Sequence, residues 1–214
     1  MRSYNPYGAF DGGNPMIAAR RHLVLLAALV ALAVPGKAGA TAVTLEFSGG
    51  SDAARAEVAA ALDASAFDWS LIGRPITVQI YDCGCAGSRP GVVVLDETML
   101  ASSPYGRVYT WGLVQHEFAH QVWWYALDDG RRSELQAVLG GVDLCYELPG
   151  LSHDAHACEL FASTLAWAYW PVAGNPMQGE KVMGARQFRR LLGQMLGLSP
   201  RLGFARVALR RLPG

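Results

Sequence analysis

Two histidines four residues apart, His116 and His120, are the side chains in this sequence best placed to do chemistry. On a helix they lie one turn apart on the same face, so both imidazoles can bind one zinc ion. Glu117 is rotated by about 100° from His116, so it cannot easily bind the same ion. It can instead reach a water on that ion, whose pKa zinc lowers to about 7, and take its proton. The spacing predicts zinc-dependent hydrolysis.

A catalytic zinc normally takes three protein ligands and keeps one position for water. A compact pattern would place a glycine three residues after His120 and a ligand six residues after it, but Trp123 and Ala126 occupy those positions. The favoured third ligand is Glu159, in the stretch "SHDAHACELFASTLAWAYWP" at residues 152–171, which contains a predicted helix.

Two features of that helix favour Glu159. Small side chains share its face and permit a close helix–helix approach, namely Ala162, Ser163 and Ala166. The other faces are apolar, and a buried carboxylate needs a partner such as zinc. His156 lies three residues before Glu159 on the same face, so it is the reserve third ligand.

"HEFAH" at residues 116–120, followed by a downstream helix containing Glu-x-x-Ala, resembles the zincin metallopeptidases, specifically the glutamate-ligand branch called gluzincins. The resemblance covers two helices and, more loosely, the strands before them. It implies zinc bound by His116, His120 and Glu159, with Glu117 as general base and acid in peptide hydrolysis. It also implies that "GVVVLDE" at residues 91–97 lies at the rim of the cleft and pairs with an extended peptide substrate.

The chain departs from this family at one position and leaves another role open. Many gluzincins carry an aspartate four residues after the ligand glutamate to orient a histidine, but that position is Ser163 here. The family often adds a tyrosine or histidine that stabilises the developing oxyanion. Three residues are candidates for this role: Tyr146, His153 and His156.

Two other functions compete with a peptidase. The serine at position 163 and a basic C-terminal segment are also compatible with an exported, wall- or surface-associated binding domain whose zinc is structural or a relic. A hydrolase acting on a substrate other than a peptide is the third hypothesis, because the motif specifies the chemistry at zinc and leaves the acyl or amide substrate open.

The elements that must position these residues predict an α+β chain with a single domain over residues 41–214. We expect a zincin-like fold, in which a small N-terminal β-sheet with a helix precedes the active-site helix and a helical C-terminal half. Strands are predicted at 42–47, 75–82 and 91–97, and helices at 51–65, 108–127, 133–140, 155–170 and 185–197, with Asp154 as N-cap of the fourth helix.

Residues 1–40 are typical of a secretory signal peptide. Two arginines at 20–21 precede an uncharged run of 12 residues at 23–34, and small residues at 38 and 40 suit cleavage before Thr41. The run is shorter than the roughly 20 residues that a membrane-spanning helix needs. We therefore predict a secreted protein, with Met16 as an alternative start.

Four cysteines are an even number, which suits disulfides in an oxidising compartment. Of the three pairings, we favour Cys145–Cys158, which closes a loop of modest length, together with Cys83–Cys85. Gly84 between the latter two can adopt backbone angles that allow so short a bridge. Metal binding is the weaker alternative, because two thiols one residue apart have no matching second pair.

The charge is distributed unevenly along the chain. Residues 41–180 carry 6 basic and 17 acidic residues, whereas residues 181–214 carry 8 basic residues and no acid. We favour a basic C-terminal helix pair packed on an acidic body over a tail that binds an anionic wall or membrane surface. No segment resembles a nucleic-acid-binding module, and we expect a monomer that acts on a peptide or protein.

Overall fold

The structure, a computed structural model, describes residues 43–103 and 105–198, so the predicted signal peptide and the basic residues after 198 lie outside it. The described chain is α+β, as predicted. Its strands are β1 (Leu45–Gly49), β2 (Ile76–Tyr81), β3 (Ala86–Arg89) and β4 (Val92–Asp96). Its helices are α1 (Asp52–Ala64), α2 (Glu97–Ser102), α3 (Arg107–Tyr125), α4 (Asp129–Leu139), α5 (Ala157–Tyr169) and α6 (Ala185–Met195), and short 3-10 turns lie at Trp69–Ile72, His153–Ala155 and Pro176–Gln178.

The four strands form one sheet in the order β1-β2-β4-β3. The first three are parallel, and β3 runs antiparallel to β4 at the edge. The prediction that residues 91–97 form the rim of the cleft is wrong, since β4 is hydrogen-bonded to a strand on each side. Strand β3 was not predicted, because its residues "AGSR" lack the β-branched and aromatic side chains typical of strands.

Two helix starts differ from the predictions. Asp128 caps α4 by accepting a hydrogen bond from the backbone of Arg131, so α4 begins four residues before Ser133. Helix α5 begins at Ala157 rather than 155, because the backbone around Ala157 first bonds to another segment. The N–H of Ala157 donates to the carbonyl of Asp143 at 3.0 Å, and this pairing holds His156 in an extended conformation. Asp154 lies in the preceding 3-10 turn.

Helix α3 lies at the centre of the fold, and two buried glutamines fix its position. The Gln115 amide donates to the carbonyl of Ala61 in α1 at 2.7 Å. Gln121 accepts from the N–H of Gly91 at 2.9 Å and donates to the carbonyl of Val92 at 3.2 Å. Because unpaired amides in a core would be costly, these bonds specify how α3 faces the sheet.

Both predicted disulfides are present, Cys83–Cys85 and Cys145–Cys158. The second joins the segment before α5 to the first turn of that helix. Two disulfides indicate an oxidising environment for the folded chain. Within residues 43–103 and 105–198, no helix combines the length and hydropathy required to cross a bilayer.

Candidate metal centre

Helix α3 presents His116 and His120 on the face that packs against α5. Both are buried, and their Nε2 atoms lie 3.3 Å apart. This is the arrangement predicted from the four-residue spacing, because side chains one helical turn apart project in the same direction.

Glu159 reaches the two imidazoles from the first turns of α5. Its Oε2 lies 3.0 Å from Nε2 of His116 and 3.2 Å from Nε2 of His120. The side chains predicted to permit this approach are buried between the helices: Ala162, Ser163 and Ala166.

The three ligand atoms of His116, His120 and Glu159 all lie within 4.8 Å of one another. Ligands bound tetrahedrally at 2.0–2.1 Å from zinc are separated by about 3.3 Å, close to the separations found here. The donor set of two imidazoles and a carboxylate suits zinc and also other first-row metals. The geometry therefore fits a divalent cation held by three protein ligands.

The charges and burial of the three-residue group also favour a cation bound among these side chains. Burial opposes the charged form of Glu159, but the charge of His120 and the contacts with the surrounding imidazoles hold its pKa well below the ordinary value. Burial likewise lowers the pKa of His120, but the Glu159 carboxylate outweighs it and raises that pKa overall. A carboxylate that is 5% exposed among imidazoles requires a compensating cation, whether a proton or a metal ion.

The two histidines differ in their outer contacts. His116 Nδ1 lies 3.2 Å from the hydroxyl of Ser163, which in turn donates to Glu180 at 2.8 Å. His120 Nδ1 is buried without a hydrogen-bond partner among the described residues. The Trp124 ring stacks against the His120 imidazole instead, with ring centroids 5.6 Å apart.

Glu117 is buried beside the group, and its negative charge contributes to the raised pKa of His120. The backbone at Glu117 also connects α3 to the edge strand. Its carbonyl oxygen accepts a hydrogen bond from the Ser88 hydroxyl in β3 at 2.8 Å. The proposed general base and the edge of the sheet are thus held in contact.

His153, six residues before Glu159 in the chain, also contacts the Glu159 carboxylate. Nε2 of His153 is 2.9 Å from Oε2 of Glu159, and Nδ1 is 2.8 Å from the hydroxyl of Tyr146. Tyr146 has a positive φ of 56°. Of the three candidates for oxyanion stabilisation, His153 is therefore the one whose ring contacts the ligand group.

His156, the reserve ligand, faces elsewhere and is not part of the three-residue group. Its Nδ1 lies 2.6 Å from Oδ1 of Asp143, and both side chains are buried. The Asp143 carboxylate also accepts from the N–H groups of Glu147 and Leu148 at 2.8 and 2.9 Å. His156 therefore organises the segment before α5, and the carboxylate of Glu159 is the group that lies beside the two imidazoles.

Three residues that shape the site were not predicted from the sequence: Ser88, Gln121 and Glu180. Each makes a contact with a residue 17 or more positions away. The one available signal in the sequence was Gln121, because an amide inside an apolar helix needs hydrogen-bond partners.

Comparison of the chain with protein-family models, curated proteins and solved structures finds no match.

Proposed function

We propose that this protein is a secreted, zinc-dependent peptidase with a zincin-like arrangement of its site. The observation that carries the proposal is the buried group of His116, His120 and Glu159 with Glu117 beside it. Zinc in this position would polarise a carbonyl group and acidify water. The predicted signal peptide and the two disulfides support export.

Glu117 is the general base and acid of the proposed reaction. Its carboxylate takes a proton from the attacking water and delivers it to the amine that leaves when the peptide bond breaks. Its position supports this role, because the Glu117 side chain is buried and its charge acts on His120, one of the proposed ligands of the zinc that would hold the water.

Strand β3 is the proposed docking edge for an extended peptide. It lies at the end of the sheet, so one side of its backbone faces away from β4. Its Ser88 hydroxyl is bonded to the carbonyl of Glu117, which places the strand beside the site. A substrate strand could add to this edge through main-chain hydrogen bonds. β3 thereby takes the role first assigned to residues 91–97.

His153 is the proposed oxyanion-stabilising residue. Its Nε2 contacts the ligand carboxylate, and its Nδ1 contacts the Tyr146 hydroxyl, so the ring is held from both sides. An imidazole N–H at the edge of the ligand group can donate to the oxygen on which negative charge develops during hydrolysis.

The substitution Glu117→Gln tests the proposal. We expect zinc content to persist and peptide cleavage to fall by a factor of about 10²–10⁴, the usual contribution of a general base. Glu134→Gln, which removes an exposed glutamate on α4, is the matched control and should cleave normally. Cleavage of an unfolded protein substrate by Glu117→Gln at the wild-type rate would rule out this mechanism.

A second candidate is an exported binding domain with a structural metal. The contact between His153 and Glu159 favours it, because a small movement of the His153 ring would make it a fourth ligand and close the site to water. Stoichiometric zinc without cleavage of any peptide would favour this candidate. The basic segment after residue 180 would then supply attachment to an anionic surface.

A further inference from the structure

Ser163 connects the metal-facing histidine to a distant carboxylate. Its hydroxyl is buried between α3 and α5, 3.2 Å from Nδ1 of His116 and 2.8 Å from Oε2 of Glu180. A carboxylate can only accept, so the single hydroxyl proton is donated to Glu180. The hydroxyl oxygen must then accept from His116, which places the imidazole proton on Nδ1.

That proton position determines what His116 offers to the centre. With Nδ1 protonated, the neutral imidazole has a lone pair on Nε2, directed at the group that includes Glu159. Nε2 of His116 and Oε2 of Glu159 are then two acceptors 3.0 Å apart, an arrangement that repels unless a cation lies between them. The hydrogen bond from Ser163 and the contact with Glu159 thus favour the same metal-binding form of His116.

We propose that Glu180, acting through Ser163, is the positioning residue for His116. This series of hydrogen bonds runs from the Glu180 carboxylate through the Ser163 hydroxyl to the His116 imidazole. It orients the ring and increases its basicity toward a metal, as a directly bonded carboxylate does in other sites. Ser163 and Glu180 together take the role of the histidine-orienting aspartate that many gluzincins carry where this chain has Ser163. This inference rests on the metal centre proposed above and concerns its affinity for zinc.

The segment that carries Glu180 is fastened to both site helices. The N–H of Val182 donates to the Thr164 hydroxyl of α5 at 3.2 Å, and the Lys181 ammonium lies 5.1 Å from the centre of the Trp167 ring. On the α3 side, Gly112 allows close packing, since a Cβ there would lie 2.7 Å from Cδ of Pro176. The segment therefore holds Glu180 at a defined place relative to α3 and α5.

Glu180 is itself exposed, whereas Ser163 is 2% exposed. The serine therefore relays the influence of a surface carboxylate into a buried site. Because water screens the outer end of this chain, removing the charge of Glu180 should affect His116 less than removing the hydroxyl that contacts it.

The test measures the zinc dissociation constant of the full chain by competition with a chromophoric chelator. We expect Ser163→Ala to weaken zinc binding by about 10–100-fold and Glu180→Gln by a smaller factor of about 3–10. The double variant should bind like Ser163→Ala within about twofold, because the two residues act in series. Glu134→Gln again controls for the loss of one exposed negative charge.

Two further measurements separate positioning from general structural support. The visible spectrum of the cobalt(II)-loaded protein should change in Ser163→Ala and in Glu180→Gln, since it reports the geometry of the ligands. Ser163→Asp combined with Glu180→Gln should restore zinc affinity to within about threefold of wild type, because the new carboxylate contacts His116 directly. Circular dichroism establishes that each variant is folded.

The outcomes distinguish the relay from Glu180 through Ser163 to His116 from the metal centre itself. If the wild-type protein binds neither zinc nor cobalt, the centre is wrong and the relay falls with it. If it binds zinc tightly and both single variants bind equally well with unchanged cobalt spectra, the centre stands and the relay is wrong. Additive losses in the double variant would also overturn it, because they would mean that Glu180 does not act through Ser163.

Discussion

Oε2 of Glu159 lies 3.0 Å from Nε2 of His116, although 43 positions separate the two residues in the chain. The contact joins α3 to α5 at the point where small side chains let the helices approach. The intervening segment is fixed to the start of α5 by the Cys145–Cys158 disulfide and by backbone hydrogen bonds from Ala157 and Cys158.

Glu159→Gln should weaken zinc binding by more than about 100-fold, beyond the usual effect of losing an outer-shell partner. The amide keeps the volume of the side chain but is a poor ligand for zinc, so only two imidazoles remain. Chelator competition measures the dissociation constant, and Glu134→Gln provides the charge control. An unchanged constant would show that Glu159 is not a ligand.

His153→Ala should lower kcat/KM for peptide cleavage by about 10²–10³-fold, the usual effect of losing an oxyanion donor. Zinc affinity should stay within a few-fold of wild type, because the three proposed ligands are intact. Parallel measurements of kinetics and of zinc binding check both expectations. Tyr146→Phe keeps the neighbouring ring and removes the hydroxyl bonded to His153, so it should show a smaller kinetic effect in the same direction.

A loss of zinc binding in His153→Ala would assign a different role to this histidine. A large loss of zinc affinity together with a lower melting temperature would identify His153 as a fourth ligand. That outcome would favour the binding domain with a structural metal over the peptidase.

Replacing both Cys145 and Cys158 with serine should lower the free energy of unfolding by about 2–4 kcal/mol. The bridge spans 13 positions and restrains the segment that carries His153, so zinc affinity should fall as well. The matched control replaces Cys83 and Cys85, whose bridge spans 2 positions and therefore restrains the unfolded chain less. Denaturant unfolding measures the free energy of unfolding of both double variants. Equal losses of stability would contradict the conclusion that the Cys145–Cys158 bridge restrains the chain more than the Cys83–Cys85 bridge does.

Asp143→Asn should destabilise the protein at neutral pH and lose that effect in acid. Burial raises the pKa of the Asp143 carboxyl, but the N–H of Leu148 and the contact with His156 outweigh it, leaving the pKa below its ordinary value of 3.8. A depressed folded-state pKa stabilises the fold above the unfolded-state value and stops doing so as the pH falls through the folded-state value.

We therefore expect Asp143→Asn to cost about 1–3 kcal/mol near neutral pH, typical of disrupting buried hydrogen bonds. The difference from wild type should narrow as the pH falls below about 4. Unfolding in denaturant at several pH values measures the difference. Asp154→Asn, at an exposed position, serves as control and should show no comparable pH-dependent difference.

Patterns that depend on neighbours along the chain were readable from the sequence. The convergence of His116 and His120 follows from the helical period. The helix predicted at 51–65 is α1, and Ser51 is its N-cap, with the hydroxyl accepting from the N–H of Ala54. Glu159 was selected because its helix is apolar except on a face of small residues. Each of these inferences uses geometry that a single helix or turn fixes by itself.

Features that depend on the paths of distant segments were not readable. β3 has no compositional signal and becomes a strand because β4 and the Gln121 side chain hold it in place. His156 remained a reserve ligand in the sequence, and only the structure showed that Asp143 binds it instead.

The sequence by itself therefore determined the pair of histidines, the glutamate between them and the helix that carries Glu159. Only the tertiary structure decided which further groups surround them: Ser163 with Glu180 behind His116, His153 beside Glu159, and β3 against Glu117. The physical reason is the distance along the chain over which each effect acts. Helical periodicity fixes directions over a few residues, whereas contacts between segments depend on the packing of the whole core, which no short stretch of sequence encodes.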